Sequence, residues 1–399
     1  MAFRNRSLLA GNRSWLAVSA ALASAVLVAA CSSSSGQSNG SAAGGSPPIV
    51  SLSGPGPGTV PTSPAPATVT ITETGSSLLF PAFSLWAAGF QSTYHNVTVK
   101  VDSTSSGTGI KDASEGNVDM GASDAFLSTG NLVQHPDLLN IPLAISAQQV
   151  NYNLPTVPLT KHVKLDGQLL AEIYSGLITR WNDQRIKGVN PGIALPNIPI
   201  VPLHRAESSG DTFLFTSYLS AKASPANLTW SRNIGYGTSV AWPARVGAVP
   251  PQQGNSGIEA DCASKVGCVA YIGISYLHKA LADGLGYAEL ANSAGRFFLP
   301  TDAASIAAAV KPFVAQMPAN ESISMVNGPA GNGYPIVNYE YAIVPDHYAN
   351  PTTARDVKAF LHWVITTGKA PKYLGGDIMF QPLPPEVAYL ADVQIARIK

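Results

Sequence analysis

Residues 68–90, TVTITETGSSLLFPAFSLWAAGF, contain a strand pattern, a polar turn and a helix pattern in direct succession. β-Branched residues alternate through Thr68–Thr72, which is typical of a strand. From Leu79 to Phe90, large apolar side chains recur at intervals of four, three and four residues, the spacing of one helix face. Strands that turn directly into helices are the repeating unit of α/β folds, so this stretch predicts an α/β layer architecture.

The same alternation continues along the chain. Further strands are predicted at Asn96–Val101, Met120–Ala122 and Ile198–Leu203. Further helices are predicted at residues 110–116, from Leu169 to near residues 180–183, and from Thr212 onwards. The last predicted helix covers residues 354–365, with Gly368 as its stop.

Two extended, β-rich stretches, residues 141–153 and 334–341, are widely separated in the chain. A chain that crosses twice between two lobes needs two such strands. We therefore predict one lobe from residues 68–148 and 336–399, and a second lobe from the insertion 149–335.

Composition excludes several classes of protein. The 399 residues suggest two domains, and 24 basic residues balance 24 acidic ones without a basic stripe, which argues against a nucleic-acid binder. Charged residues make up 12% and hydrophobic residues 45%, which is not a disordered composition. After residue 30 no apolar run is long enough for a polytopic membrane protein.

The N-terminus has the pattern of an export signal. Three arginines (Arg4, Arg6 and Arg13) precede the apolar stretch 15–28, and two alanines precede Cys31. The cysteine after small residues resembles a bacterial lipoprotein signal, which implies cleavage after residue 30 and acylation of Cys31. An ordinary signal peptide or a single anchor helix is the alternative.

The segment after Cys31 is predicted to be a flexible linker. Residues 32–67 contain no charged residue and consist mainly of Ser, Gly, Pro and Ala, so they bury too little surface to fold. Gly36–Gly40 matches the hydrolase motif G-x-S-x-G, but the motif requires a preceding strand and a following helix, and neither is predicted here.

Cys262 and Cys268 are the remaining cysteines. An even pair in an exported chain indicates a disulfide. A metal pair is the alternative, but the seven histidines are scattered and provide no matching ligands, so no metal site is predicted.

Three polar loops each precede a predicted helix: Gly75–Ser77, Ser103–Gly109 and Ser208–Asp211. Helix N-termini present free N–H groups and a partial positive charge, and small hydroxyl residues add donors, so such loops suit phosphate or sulfate. Plain helix capping is the alternative for each loop. No phosphate-cleaving motif is present, because G-x-x-x-x-G-K-[ST] is missing and the carboxylates are spread along the chain.

Several blocks in the same order resemble the PstS family of phosphate-binding proteins. The blocks are GSSLLFP (75–81), SG (106–107), GASD (121–124), IYSGLITRWND (173–183), RAESSGDTF (205–213) and QPLP (381–384). The resemblance covers about residues 68–399. It implies a two-lobed, periplasmic-binding-protein-like (type II) fold with two crossover strands and a ligand cleft between the lobes.

The resemblance also implies a function and a ligand set. The protein would be a monomeric, lipid-anchored receptor on the extracytoplasmic face of the cell membrane, without cofactor or catalysis, that hands inorganic phosphate to the permease and ATPase of an ABC importer. The matching phosphate ligands are Ser76, Ser77, Leu78 (backbone N–H), Ser106, Asp124, Arg205, Ser209, Gly210 and Asp211.

Two positions depart from the common family pattern. Glu207 stands where Asp is usual, and the resemblance implies that it restrains Arg205. Asp211 stands where many relatives have Thr. Because a carboxylate only accepts hydrogen bonds, Asp124 is expected to select protonated phosphate over sulfate, with Asp211 as a second acceptor. An envelope phosphatase or phosphoesterase on the same scaffold is the alternative function, and a sensory or adhesive protein is a third.

Overall fold

The computed structural model describes residues 60–221 and 224–399. The predicted signal peptide, Cys31 and the linker up to residue 59 lie outside the described residues. No helix within the described ranges is both long and apolar enough to cross a bilayer.

Eleven strands occur in the described part of the chain. They are β1 (Val69–Gly75), β2 (Val97–Ser103), β3 (Met120–Ser123), β4 (Leu138–Tyr152), β5 (Lys164–Leu165), β6 (Val201–Pro202), β7 (Cys268–Gly273), β8 (Gly286–Tyr287), β9 (Glu289–Ala291), β10 (Phe297–Phe298) and β11 (Val337–Pro345). The larger sheet has the order β2-β1-β3-β11-β4-β7-β6, with β8 also paired to β4. A smaller sheet has the order β10-β9-β5.

Fourteen α-helices connect and cover these strands in the same part of the chain. They are α1 (Phe80–Thr93), α2 (Ser106–Glu115), α3 (Thr129–Gln134), α4 (Gly167–Tyr174), α5 (Gln184–Val189), α6 (Gly210–Leu219), α7 (Pro225–Asn233), α8 (Ala244–Gly247), α9 (Gly254–Ser264), α10 (Leu277–Ala282), α11 (Ala303–Val314), α12 (Pro351–Thr366), α13 (Pro371–Leu374) and α14 (Pro385–Arg397). The expected α/β class is therefore confirmed.

The first strands of the large sheet are parallel and begin the alternation seen in the sequence. β1 pairs in parallel with β2 and with β3. The helix predicted from the apolar spacing is α1, and its Phe83, Trp86 and Phe90 are fully buried. Phe90 packs edge-on against Phe360 and Trp363 of α12, with ring centroids 5.3 and 5.7 Å apart. This aromatic cluster joins the first helix of the fold to one near the C-terminus.

The long strand β4 takes part in two sets of pairings. Its first part, Leu138–Ala147, pairs antiparallel with β11, and its last part, Gln148–Tyr152, pairs antiparallel with β7. All fifteen residues of β4 are buried. The two predicted crossover stretches fall mainly on β4 and β11. The pairing change after Ala147 lies one residue from the predicted boundary at residue 148, and the division into lobes stays a prediction.

Several element boundaries differ from those predicted. Helix α2 begins at Ser106 rather than at residue 110, because the Ser105 side chain caps it by accepting from the Thr108 N–H at 3.0 Å. Helix α4 ends at Tyr174, before the end predicted near residues 180–183. The strand predicted at residues 198–203 shortens to β6, since Pro199 lacks the N–H that a strand ladder requires.

The last residues of the predicted linker pack against the folded domain. The Ala65 N–H donates to Asp356 Oδ1 at 2.6 Å, and the Asn96 amide donates to the carbonyls of Ala65 and Ala67 at 2.7 and 3.0 Å. The Tyr94 hydroxyl donates to the Thr62 carbonyl at 2.9 Å. These residues of the predicted linker therefore contact the folded domain, and the extent of the flexible linker stays a prediction.

Candidate functional site

The first polar loop lies where the carboxyl ends of β1 and β3 meet. Gly75 pairs with Ala122, and the Ser76 N–H donates to the Ala122 carbonyl at 2.9 Å. Gly75 has φ +153°, and a Cβ there would lie 2.1 Å from the Ala122 oxygen, so only glycine fits this close approach. The β1–α1 turn is thereby held against the residues that precede Asp124.

Asp124 is the buried carboxyl group at this edge of the sheet, 1% exposed. The Ser76 hydroxyl donates to its Oδ1, and the Ser106 hydroxyl lies 3.3 Å from its Oδ2. Burial, and then the nearby charge of Asp211, raise the pKa of Asp124 to about 7, against the lowering effect of Ser76. Asp124 is therefore a group that changes charge near neutral pH.

Arg205 is the buried cation of the site, with a side chain that is 1% exposed. Its Nη1 donates to Asp211 Oδ2 at 2.6 Å, and its Nε donates to Glu207 Oε1 at 2.7 Å. Burial opposes its charge, but the carboxylates of Asp211 and Glu207 together raise the pKa of Arg205 above its ordinary value. Its third nitrogen, Nη2, also donates to Glu207 Oε1 and lies 3.2 Å from Ser77 Oγ. Two carboxylates thus hold a charged guanidinium in one orientation.

A buried tyrosine supports the backbone of Arg205 from β7. The Arg205 N–H donates to the Tyr271 hydroxyl at 3.0 Å, and that hydroxyl also shares a hydrogen bond with Thr212 Oγ1 at 2.8 Å. Burial raises the pKa of Tyr271, so its hydroxyl stays protonated. Tyr271 also stacks on Phe215 of α6 at 4.6 Å between ring centroids.

The third polar loop brings the N-terminus of α6 to Asp124. The Ser209 side chain caps α6 by accepting from the Thr212 N–H, so the helix begins at Gly210, two residues earlier than predicted. A Cβ on Gly210 would lie 2.6 Å from the Asp124 Cβ, which leaves room only for glycine. The backbone carbonyl of Ser208, the residue before Ser209, accepts from the Gly107 N–H at 2.9 Å. The start of α6 therefore contacts both the start of α2 and the end of β3.

The structure brings the residues predicted as ligands into one region. Shared hydrogen bonds link Ser76 and Ser106 through Asp124, and Ser77 and Asp211 through Arg205. The Leu78 N–H donates to Ser76 Oγ at 3.1 Å, and Ser209 and Gly210 begin the helix beside Asp124. Glu207 contacts Arg205, the position that the resemblance implied for it.

Asp211 has a different environment from the expected free acceptor. Its Oδ2 accepts from Arg205 and, at 2.8 Å, from the Asn255 amide. Its Oδ1 accepts from the Gln148 amide at 3.0 Å. Because Oδ2 forms an ion pair with the Arg205 guanidinium and both oxygens accept from side-chain amides, this arrangement favours Asp211 as a partner of Arg205 over Asp211 as a second acceptor for phosphate.

Sequence reasoning missed four buried polar residues around this region: Gln148, Asn255, Asn338 and Glu340. Asn338 donates to the Asp124 carbonyl, and Ser146 Oγ donates to Glu340 Oε1 at 2.5 Å. Burial, and then the charge of Asp124, raise the pKa of Glu340 well above its ordinary value. A signal for the strand positions existed, since Gln148, Asn338 and Glu340 are polar residues within mostly apolar strands. Asn255 follows a glycine at the start of a helix.

The predicted disulfide is confirmed. Cys262, near the end of α9, is bonded to Cys268 at the start of β7, with Cα atoms 5.3 Å apart. Both cysteines are fully buried. In the described ranges, no group of three or more His, Cys, Asp or Glu residues is arranged to hold a metal ion.

The chain is similar to a known superfamily and to proteins of one family within it. Residues 60–367 match the PBP superfamily domain. The chain is also 34% identical over 345 residues to the phosphate-binding protein PstS of Methanocaldococcus jannaschii, which covers 80% of this chain and 84% of the relative. It is 30% identical over 313 residues to the PstS of Haemophilus influenzae, covering 78% and 88%. The chain therefore belongs to the PstS family of phosphate-binding proteins.

Solved structures share the fold. A phosphate-binding protein from Stenotrophomonas maltophilia aligns with a TM-score of 0.60 at 23% identity, covering 82% of this chain and 93% of that one. The high-affinity periplasmic phosphate-binding protein PfluDING, solved with phosphate bound, aligns with a TM-score of 0.61 at 20% identity over the same shares of each chain. These likenesses support the expected periplasmic-binding-protein-like architecture.

Proposed function

We propose that this protein binds inorganic phosphate with high affinity outside the cytoplasmic membrane and delivers it to an ABC phosphate importer. Membership of the PstS family supports this function. The observation that carries the proposal is that a doubly restrained Arg205, three serine hydroxyls and the start of α6 converge beside a buried, protonatable acid, Asp124. This combination provides several donors and one acceptor for a tetrahedral oxyanion.

The donors supply affinity. Arg205 presents a planar guanidinium, which suits paired contacts with phosphate oxygens. Ser77 supplies a hydroxyl proton, and the first residues of α6 supply backbone N–H groups with the partial positive charge of a helix start. The Ser76 and Ser106 hydroxyls, which donate to Asp124 in this structure, supply further donors when they turn from that carboxyl to the ligand. All of these groups would serve sulfate as well as phosphate.

Asp124 supplies selectivity. Phosphate near neutral pH keeps at least one P–OH proton, and sulfate keeps none. Asp124 ionises near neutral pH, and its carboxylate then accepts that proton in a hydrogen bond, whereas it meets sulfate with charge repulsion and no hydrogen bond.

Calorimetry with phosphate-free protein tests the proposal. We expect the wild type to bind phosphate and to ignore sulfate in competition. Asp124→Asn should gain sulfate binding, because the amide can donate to a sulfate oxygen. Asp377→Asn is the matched control, since the Asp377 side chain is 87% exposed and should leave both affinities unchanged. A wild type that binds no phosphate would overturn the function, and an Asn variant that still ignores sulfate would overturn the role of Asp124.

The proposed receptor closes on its ligand. In this proposal residues 68–148 and 336–399 form one lobe, residues 149–335 form the other, and the cleft lies between them. Ser76 and Asp124 then belong to the first lobe, and Arg205 belongs to the second. Since phosphate binds the closed state better, X-ray scattering should show a smaller radius with phosphate than without it. An unchanged radius despite proven binding would contradict closure.

The proposal includes anchoring and no catalysis. The protein is a monomer held on the extracytoplasmic face by lipid on Cys31, with the segment after Cys31 as a tether to the folded domain. In the described residues, no histidine contacts the hydroxyl of Ser76, Ser77 or Ser106, so no serine–histidine pair supports a phosphatase. Turnover of a model phosphate ester by the purified protein would contradict a purely binding role.

A further inference from the structure

Asn255 is a fully buried asparagine in the first turn of α9. Its side-chain amide nitrogen lies 3.0 Å from Ser77 Oγ and 2.8 Å from Asp211 Oδ2. Its backbone N–H also donates to Ser77 Oγ at 3.0 Å. The neighbouring Gly254 N–H donates to Glu207 Oε1 at 3.1 Å, so the start of α9 contacts both restraints of Arg205.

The surroundings of Asn255 determine the orientation of its amide. The Gly273 N–H, at the end of β7, donates to Asn255 Oδ1 at 2.8 Å. A flipped amide would place its NH₂ against that N–H and its oxygen against the Asp211 carboxylate, which removes three hydrogen bonds. The two amide hydrogens therefore point at Ser77 and Asp211.

Ser77 Oγ consequently has three protein donors around it. They are the Asn255 N–H, the Asn255 amide and Arg205 Nη2, at 3.0, 3.0 and 3.2 Å. A hydroxyl oxygen has two acceptor lone pairs and one proton to donate. The two donors from Asn255 are enough to fill both lone pairs, and Arg205 Nη2 also donates to Glu207 Oε1, so the Ser77 proton remains available for a ligand oxygen.

We infer that Asn255 is a positioning residue that makes Ser77 a hydrogen-bond donor toward the anion and keeps Asp211 aligned with Arg205. The inference rests on the proposed phosphate function and adds a residue to it. Asn255 acts through Ser77 and Asp211. Its side-chain amide and its backbone N–H both donate to these protein groups and not to the ligand. Its buried position means that the effect of removing it must be separated from a general loss of stability.

A double-mutant cycle makes this separation. Phosphate affinity is measured by calorimetry for the wild type, Asn255→Ala, Ser77→Ala and the double variant. One oriented hydrogen bond predicts about tenfold weaker binding in Asn255→Ala. If Asn255 acts largely through Ser77, the same substitution in the Ser77→Ala background should weaken binding only about two- to threefold, the remainder coming through Asp211.

The matched control is Asn227→Ala. Asn227 is also a fully buried asparagine whose amide donates to two groups, the carbonyls of Gly167 and Leu219, both at 2.8 Å. This variant should lower the melting temperature and leave phosphate affinity unchanged. If Asn255→Ala does not fold, Asn255→Asp keeps the shape but replaces the donor by a carboxylate that draws the Ser77 proton, and it should weaken phosphate binding at least as strongly.

The outcomes distinguish the two proposals. A wild type that binds no phosphate overturns the proposed function together with this inference. A wild type that binds phosphate, with Asn255 variants of equal affinity or with fully additive effects of Asn255→Ala and Ser77→Ala, overturns this inference alone.

Discussion

Replacing Asp124 by asparagine should remove a pH-dependent loss of stability from the ligand-free protein. The carboxyl is buried, and its pKa rises from the ordinary 3.8 to about 7 in the fold. Between these two values the folded state binds the Asp124 proton and the unfolded chain does not. The free energy of unfolding therefore falls as the pH rises through this window and levels off above about pH 7.

The size of the effect follows from the two pKa values. The complete difference corresponds to about 4 kcal/mol, and about 3 kcal/mol of it is lost between about pH 5 and pH 8.5. Asp211, Glu340 and Arg205 are the other charged groups that act on Asp124. Glu340 titrates in the same sense because its pKa is also raised, in part by Asp124 itself. The difference between wild type and variant therefore reports the two coupled carboxyls together.

Urea unfolding at several pH values in phosphate-free buffer measures this difference. The wild type should lose stability relative to Asp124→Asn as the pH rises, so the gap between them should change by about 3 kcal/mol across that range. Asp377→Asn, an exposed control, should follow the wild type. A gap that stays constant with pH would refute the argument that Asp124 is protonated in the ligand-free fold near neutral pH.

Three other perturbations test separate parts of the molecule. Arg205→Lys loses the planar guanidinium and should weaken phosphate binding at least about tenfold by calorimetry. The control variant Arg355→Lys, at an exposed position, should leave the affinity unchanged. Equal affinities of Arg205→Lys and the wild type would contradict the role of the guanidinium. Replacing both Cys262 and Cys268 by serine should reduce the free energy of unfolding by about 2 kcal/mol, because the bond closes a short loop, and unchanged denaturant unfolding would argue against that contribution. Cys31→Ala should move the protein from the membrane fraction to the soluble fraction, and unchanged membrane partition would refute lipidation.

The local pattern of the sequence was enough to predict the α/β class and to single out the polar loops that precede helices. Strand and helix periodicities are local, so β1, α1 and β3 could be recognised from residues close together in the chain. Polar loops before helices indicate unpaired N–H groups. The ordered motifs around Ser76, Asp124 and Arg205 identified the family, and these residues do converge in the fold.

Tertiary structure alone decided what each of these side chains does. Asn255 contacts Ser77 across 178 positions of sequence, and Gln148 contacts Asp211 across 63, so neither contact leaves a periodic signal. The residue type of Asp211 does not by itself reveal its partner, because the ion pair with Arg205 is visible only in the fold. The pKa of Asp124 depends on burial and on charges brought from other elements. A sequence pattern records which groups are available, but burial and the partners of a charge are set by packing between distant segments.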